Sequence, residues 1–223
     1  MANLIEAMLV SAADITDSNI DAQDHATWDG GTEYSENALV CAEATYQVGA
    51  DILTGFKVYQ SLIGSNTGND PTDDDGTKWL DLGPTNRLRA FDGAIGSAAV
   101  NDETVEFTIL TTRSCDGIAL FGLKAGAVTV EVYNISEELI FERTVQLYDT
   151  TEIDSYWDYF FSTTEYAESV LILGLPQGSN RYVRIVADAG SGTAEIGAVC
   201  LGTVQNIGIT RPGTEVRIED FSY

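Results

Sequence analysis

Hydrophobic and polar residues alternate along much of the chain after residue 105. In the segment VTVEVY, Val128, Val130 and Val132 fall on one side of an extended strand, with polar or amphipathic residues between them. In RYVRIV the same period places Val183 and Ile185 together. Because successive side chains of a strand point to opposite faces, these five residues are predicted to face a core.

Segments of this kind recur, separated by short polar loops. They are rich in Val, Ile, Thr, Tyr and Phe, the residues that favour strands. Roughly seven or eight strands at such spacing are typical of an antiparallel β-sandwich, so we predict an all-β fold. The segments are VEFTIL, VTVEVY, LIFERTVQL, SVLILGL, RYVRIVADA, EIGAVCLG and VRIEDFSY.

The chain before residue 89 has a different residue composition. Residues 28–88 combine tryptophan and tyrosine with the turn-rich stretch GSNTGNDPTDDDG, which predicts a small aromatic-rich β domain. Residues 1–27 are predicted to form an N-terminal arm, with a short helix as the alternative, since chain termini are ordered mainly where they dock. The sandwich is then expected over 89–223.

The charge excludes several classes of partner. The chain of 223 residues has 35 acidic and 11 basic residues, giving a formal net charge of −24. Nucleic acids and anionic membranes repel such a surface. No stretch reaches the roughly 18 consecutive apolar residues of a membrane span, so we expect no membrane insertion. The opening sequence has no cationic start of a signal peptide, so we expect no general secretory export.

The sequence offers little for catalysis. His25 is the one histidine, which leaves no base for a histidine-dependent hydrolase, and no phosphate-binding glycine loop is present. We therefore expect no enzyme and no catalytic residue, although paired carboxylates could act on glycans. Asp73 and Asp75, in an acidic run before Gly76, are weak candidates for calcium, because solvated turns have the same composition. No other cofactor is expected.

Two groups of aromatic residues are candidates for binding. Trp28, Tyr46, Tyr59 and Trp79 could stack on sugar rings or could form the core of the small domain. Tyr156, Trp157 and Tyr159, in the segment DSYWDYFF, are candidates for protein contacts, where aromatic residues are enriched.

The segment GPTNR is predicted to form a turn between the two domains. Arg87 and Arg89 could each pair with a carboxylate there and hold the domains together, or contact a partner protein. A plain linker is the alternative.

Part of the small domain resembles the chitin-binding type of carbohydrate-binding module. The residues that match its pattern are Tyr46, Gly49, Asp51, Tyr59, Asn66, Gly68, Pro71 and Trp79. This resemblance implies a sugar-binding face that contains Trp28, Tyr46, Tyr59 and Trp79.

A longer resemblance extends over most of the chain. The segments GPTNRLRAFDG, IALFGLKAGAVTVEVYN, DSYWDYFF, VLILGLP and GTEVRIEDFSY are similar to a family of tailed-bacteriophage and prophage virion proteins. That family implies a small module followed by a jelly-roll-like sandwich. It also implies a location in the virion tail after synthesis in the host cytoplasm, and assembly in many copies with other tail proteins.

Three functions follow as hypotheses. The first is a structural or adaptor protein of the tail tip or baseplate, with a neck, collar or head-decoration protein as a variant. The second is an adhesin that binds host surface polysaccharide. The third, an enzyme acting on cell-wall glycans, lacks a nominated carboxylate pair.

Overall fold

A computed structural model describes residues 2–94, 96–149 and 165–208. It confirms the all-β prediction, because the described residues form fourteen strands and one short 3₁₀ helix. In chain order the strands are β1 (Ala2–Ala7), β2 (Ile15–Ser18), β3 (Leu39–Val48), β4 (Asp51–Ser61), β5 (Trp79–Pro84), β6 (Ala99–Thr111), β7 (Gly117–Phe121), β8 (Ala127–Tyr133), β9 (Leu139–Gln146), β10 (Tyr148–Asp149), β11 (Glu165–Tyr166), β12 (Ser169–Leu173), β13 (Arg181–Ile196) and β14 (Ala198–Gly208). The 3₁₀ helix covers Asn86–Phe91.

Two antiparallel sheets form the sandwich. One has the strand order β1-β14-β7-β12, and the other has the order β2-β6-β13-β8-β9. Alternate residues of both sheets meet in one core, in which Ile118 and Leu201 of the first sheet are buried together with Phe107, Val130 and Ile185 of the second. Val128, Val132 and Val183 lie in the same core, so the predicted inward face is confirmed.

The long strand β13 differs from the sequence-based prediction. Its residues pair with β6 on one side and β8 on the other, and pairing with β6 resumes after an irregularity between Asp188 and Thr193. RYVRIVADA and the start of EIGAVCLG therefore belong to one strand. The chain changes sheet at Gly197, where an added Cβ would lie 3.1 Å from the carbonyl oxygen of Phe121.

The N-terminal residues do not form an arm. Strand β1 pairs with β14, and β2 pairs with β6, so the segment supplies one edge strand to each sheet of the sandwich. Ile15 is buried in the shared core. The hydrophobic residues LIEAMLV and the ITDS strand explain this docking, which burial of apolar surface stabilises.

The third sheet contains β3, β4 and β5 in that order. On β3, Val40, Ala42, Ala44 and Tyr46 point to one side, which we call the inner side of this sheet. Cys41 points to the other side and is also buried. One end of this side packs in a small cluster with Trp79, and the other end, at Tyr46, packs on the sandwich core. The division of the chain at 28–88 and 89–223 stays a prediction.

The segment GPTNR does not form the separate turn that was expected: Gly83 and Pro84 end β5, and Asn86 and Arg87 begin the 3₁₀ helix. Gly83 adopts a φ of 90°, which favours glycine, and Thr85 is fully buried. Leu88 and Phe91 insert into the sandwich core. The connection is therefore a packed element of the protein and not a plain linker.

Arg87 and Arg89 bind backbone carbonyls here. The guanidinium of Arg87 donates to the Ile15 carbonyl at 2.8 Å, and that of Arg89 donates to the Pro84 carbonyl at 3.4 Å. Neither forms a salt bridge among the described residues, so the predicted carboxylate pairing is wrong. Burial lowers the pKa of Arg87, and the nearby Asp17 partly offsets this effect.

None of the described residues belongs to a helix that is long and apolar enough to cross a membrane.

Asn86 joins the 3₁₀ helix to β6, and its removal should destabilise the fold. Its amide nitrogen donates to the Val100 carbonyl at 2.6 Å, and its amide oxygen accepts from the Val100 N–H at 2.9 Å. We expect Asn86→Ala to lower the free energy of unfolding by about 1–3 kcal/mol, because it leaves backbone groups unpaired. Urea denaturation measures this loss. Gln205→Ala, which removes one exposed hydrogen bond, is the control, and equal losses in both variants would contradict the assignment.

Candidate functional site

An open groove lies on the inner side of the three-stranded sheet, between its two packed ends. The groove has a volume of about 930 Å³. Its floor includes Ala44, Lys57 and Asp81, and the loop over residues 71–76 forms one wall. The groove exists because both ends of this side are covered by other elements while the middle is not.

Strand pairing places the polar residues of the floor. Lys57 is opposite Ala42, and Asp81 is opposite Tyr59 on the neighbouring strand. The Lys57 ammonium contacts the Asp81 carboxylate at 2.6 Å. Lys57 is largely buried, whereas Asp81 is 45% exposed, so the carboxylate of the pair remains open to a ligand.

The four predicted sugar-stacking rings are mostly buried. Trp79, Tyr59 and Tyr46 are 2%, 5% and 8% exposed, and Trp28 is partly buried. Trp28, Tyr59 and Trp79 share the small cluster, where Tyr34 packs edge-on against Trp79 at 5.5 Å. Tyr46 lies in the sandwich core instead. The structure therefore does not bring the four rings together as an exposed platform.

Two of these rings still border the groove. Tyr59 and Trp79 line it beside Leu80. Burial, together with the nearby carboxylates of Asp81 and Asp70, raises the pKa of Tyr59 to about 12. The Tyr59 hydroxyl is therefore protonated at neutral pH and can donate a hydrogen bond.

The acidic loop is held in place by its own carboxylates. Asp74 accepts hydrogen bonds from the backbone amides of Gly76, Lys78 and Trp79 at 2.9, 3.1 and 3.0 Å. Asp75 accepts from the Thr77 hydroxyl at 2.6 Å. Burial alone would raise the pKa of Asp74, but these three amides outweigh it and lower the pKa.

The described part of the chain contains no group of three or more His, Cys, Asp or Glu residues placed to hold a metal ion. The calcium hypothesis for Asp73 and Asp75 gains no support from the loop geometry and stays a prediction.

The second group of aromatic residues, Tyr156, Trp157 and Tyr159 in the segment DSYWDYFF, lies outside the described residues. The protein contact predicted for this segment therefore stays a prediction.

Sequence reasoning missed Lys57, Asp81 and the pairing between them. These residues are 24 positions apart, and no motif links them. The strand alternation in TGFKVYQS and TKWLDLG places Lys57 with Tyr59, and Asp81 with Trp79, but only the register of β4 and β5 shows that the two strands are neighbours.

The groove can recognise an uncharged polar ligand. Carboxylates accept hydrogen bonds, whereas the Lys57 ammonium and the Tyr59 hydroxyl donate them. Glu43, Asp73 and Asp81 also line the groove. The excess of carboxylates over ammonium groups opposes the binding of anionic ligands.

The comparisons with known proteins assign no family to this chain. No protein-family model matches the sequence, and no curated protein matches it. The solved structures that it resembles are mainly carbohydrate-binding modules.

Three of these solved structures illustrate the range of the similarity. An F5/8 type C domain from Bacteroides fragilis has 14% identity and a TM-score of 0.38, over 54% of this chain and 82% of that one. A chitosan-binding module of a chitosanase/glucanase from Paenibacillus sp. has 17% identity and a TM-score of 0.34, over 52% and 83%. The enzymatically active domain of bacteriophage CBA120 tailspike protein 4 has 9% identity and a TM-score of 0.27, over 77% and 18%. At such TM-scores these similarities carry no argument about function.

Asp74 should make the stability of the protein depend on acid pH. Because its pKa is lower in the folded chain than the ordinary value of 3.8, its contribution to stability is present above that value and is lost as the pH falls through the folded pKa. We expect Asp74→Ala to cost about 1 kcal/mol at pH 7, the usual net contribution of a hydrogen bond, and less at pH 3.

Urea denaturation at both pH values tests this prediction. Asp73→Ala is the matched control, since Asp73 is an exposed neighbour in the same loop. A destabilisation by Asp74→Ala that is unchanged between pH 7 and pH 3 would show that the ionised carboxylate does not anchor the loop.

Proposed function

We propose that this chain is a non-catalytic carbohydrate-binding protein, and that the groove on the three-stranded sheet is its binding site. One observation supports the proposal most strongly. Between two packed clusters, the sheet presents an ion pair whose carboxylate is open, beside the edges of Tyr59 and Trp79. Binding sites for small ligands commonly combine apolar walls with a few fixed polar groups.

The chemistry of the groove selects the ligand class. Adjacent hydroxyls of a sugar donate hydrogen bonds to a carboxylate such as Asp81 and accept them from an ammonium such as Lys57. Ion pairing fixes both side chains before a ligand arrives, which lowers the entropic cost of binding. Because carboxylates predominate, neutral or amino sugars fit the groove better than uronic or sialic acids.

This proposal replaces the stacking platform with a different site. The buried rings of Trp28, Tyr46 and Trp79 have a structural role in it, and Tyr59 contributes its edge. Host surface polysaccharide remains the proposed biological ligand. Since the groove is open, moderate affinity is expected for a single site, and many copies would raise the avidity.

Substitution of the ion pair tests the binding site. We expect Asp81→Asn and Lys57→Met each to weaken the binding of a neutral oligosaccharide at least tenfold, a loss of about 1.4 kcal/mol, in titration calorimetry. Lys124→Met is the control, because Lys124 also forms a short ion pair, with Glu195 on the sandwich at 2.8 Å, and lies outside the groove. Circular dichroism checks that each variant is folded.

Two outcomes would contradict the proposed site. One is wild-type protein that binds no member of a panel of neutral and amino oligosaccharides. The other is an affinity that Lys124→Met lowers as much as Asp81→Asn does.

We also propose a finer role, in which the chain is a structural or adaptor protein of a bacteriophage tail tip or baseplate. The sequence resemblance over GPTNRLRAFDG supports it, and the structure gives that segment a packed position at the base of the groove-bearing sheet. A neck, collar or head-decoration position is the alternative within the virion. In each case the protein would be made in the host cytoplasm and assembled in several copies with other virion proteins.

Purified particles test this role. If the chain is a tail component, mass spectrometry detects it in purified virions, and a cryo-EM map shows its density in a tail or baseplate layer. Density in the neck or head would support the alternative position. Absence of the chain from purified particles would contradict the virion role. It would not bear on the sugar-binding proposal, which the calorimetry tests separately.

A further inference from the structure

The hydroxyl of Tyr59 is an unpaired polar group in the lining of the groove. Tyr59 is only 5% exposed, and it belongs to the groove lining. Within the part of the chain that the structure describes, its hydroxyl forms no hydrogen bond. Nearly all buried polar groups in proteins have a hydrogen-bond partner. A ligand in the groove would supply the partner that the fold does not.

The other rings of the small cluster differ from Tyr59 in this respect. The indole N–H of Trp79 donates to a backbone carbonyl at 2.9 Å. The Tyr34 hydroxyl accepts from a backbone N–H at 2.8 Å. The indole nitrogen of Trp28 has no partner, but Trp28 does not line the groove. Tyr59 is therefore the ring of this cluster whose polar end is left for a ligand.

Carboxylates lie close to this hydroxyl. Asp81 is paired with Tyr59 across β4 and β5, so both side chains point to the inner side of the sheet. Burial and the charges of Asp81 and Asp70 all raise the pKa of Tyr59. The hydroxyl is thus a neutral group beside negative charges.

Two lysines lie near enough to oppose this negative charge. Lys57 contacts Asp81 at 2.6 Å, so these two charges neutralise each other. The ammonium of Lys78 donates to the Asn69 side chain at 2.5 Å, and Lys78 does not line the groove. Burial would raise the pKa of Asp74, but three backbone amides and the charge of Lys78 lower it. Each lysine is therefore already matched by a carboxylate.

Asp70 and Asp73 are left without a matching cation. Asp73 lines the groove, and neither residue forms a salt bridge among the described residues. Glu43 is not needed for this balance, because on β3 it alternates with Ala42 and Ala44 and its side chain points away from the inner side. The groove beside Tyr59 therefore has a negative potential.

A protonated primary amine satisfies both the unpaired hydroxyl and the unmatched charge. An ammonium group donates up to three hydrogen bonds, and a tyrosine oxygen and a carboxylate both accept them. A sugar hydroxyl would pair with Tyr59 but would leave the charge unmatched. On the basis of the proposed sugar-binding function, we infer that the groove selects sugars with a free, protonated amine over neutral and N-acetylated sugars. The amine is received by the Tyr59 hydroxyl beside Asp70 and Asp73.

Two oligosaccharides that differ only at nitrogen test this inference. One is a tetramer of glucosamine, and the other is the corresponding tetramer of N-acetylglucosamine. In titration calorimetry at pH 6 and 50 mM NaCl, we expect the amine tetramer to bind at least tenfold more tightly, because charge-assisted hydrogen bonds are about twice as strong as neutral ones. The preference should shrink at 300 mM NaCl, because salt screens the attraction.

Tyr59→Phe separates this site from general attraction to an acidic protein. The variant removes the hydroxyl, keeps the ring in its cluster and changes no charge. We expect it to weaken binding of the amine tetramer at least fivefold and binding of the N-acetylated tetramer less than twofold. Tyr34→Phe is the matched control, since Tyr34 packs in the same cluster but does not line the groove.

Asp70→Asn tests the unmatched charge. One oxygen of Asp70 accepts from the backbone N–H and the hydroxyl of Thr72, and asparagine retains such an oxygen. We expect a loss of at least threefold for the amine tetramer and none for the N-acetylated tetramer. Asp75→Asn is the matched control, because Asp75 binds Thr77 in the same way but its charge does not act on Tyr59.

Three results would overturn the inference. Equal affinity for the two tetramers, or tighter binding of the N-acetylated one, would do so and leave the proposed sugar-binding function standing. An amine preference that persists in Tyr59→Phe and Asp70→Asn would assign the attraction to the acidic surface as a whole. Binding of neither tetramer would exclude the amine site, and the wider panel of sugars would then decide the proposed function.

Discussion

The contact between Leu88 and Gly55 holds the three-stranded sheet on the sandwich. An added Cβ at Gly55 would lie 2.6 Å from a methyl carbon of Leu88, so the absence of a side chain on β4 lets the 3₁₀ helix approach the sheet. Tyr46 packs at the same spot, 3.2 Å from that added Cβ. Because this contact fixes one end of the inner side and the Trp79 cluster fixes the other, the groove between them depends on both.

Apolar and charged side chains lie on different outward sides of the sandwich. One outward side of the sandwich carries the ion pairs of Arg184 with Glu106 and Glu131, and the other carries Phe121 and Leu171. The acidic residues are divided evenly along the chain, with a net −12 in residues 1–92 and −12 in residues 93–223. The uncharged side is therefore a local feature of the fold, because strand register collects residues that are far apart in the sequence.

Strand alternation was enough to predict the sandwich, because each buried strand carries its own signal. Val128, Val130 and Val132 show this directly. The site was harder to predict, since the Lys57–Asp81 pair depends on which strands are neighbours. The prediction of a sugar-stacking platform failed for a physical reason. Trp79 and Tyr59 are residue types that stack on sugars, but a small sheet needs such rings to form its own core.

Strand β1 has a consequence for folding. It pairs with β14, so Ile5 must find a partner almost two hundred positions later in the chain, at Val204. Closing so large a loop is slow, because its entropic cost comes before the contacts that repay it. During synthesis, the four-stranded sheet stays incomplete until β14 leaves the ribosome. The apolar residues of β7 and β12 are exposed through that interval, which is the stage at which a nascent chain is most prone to aggregate.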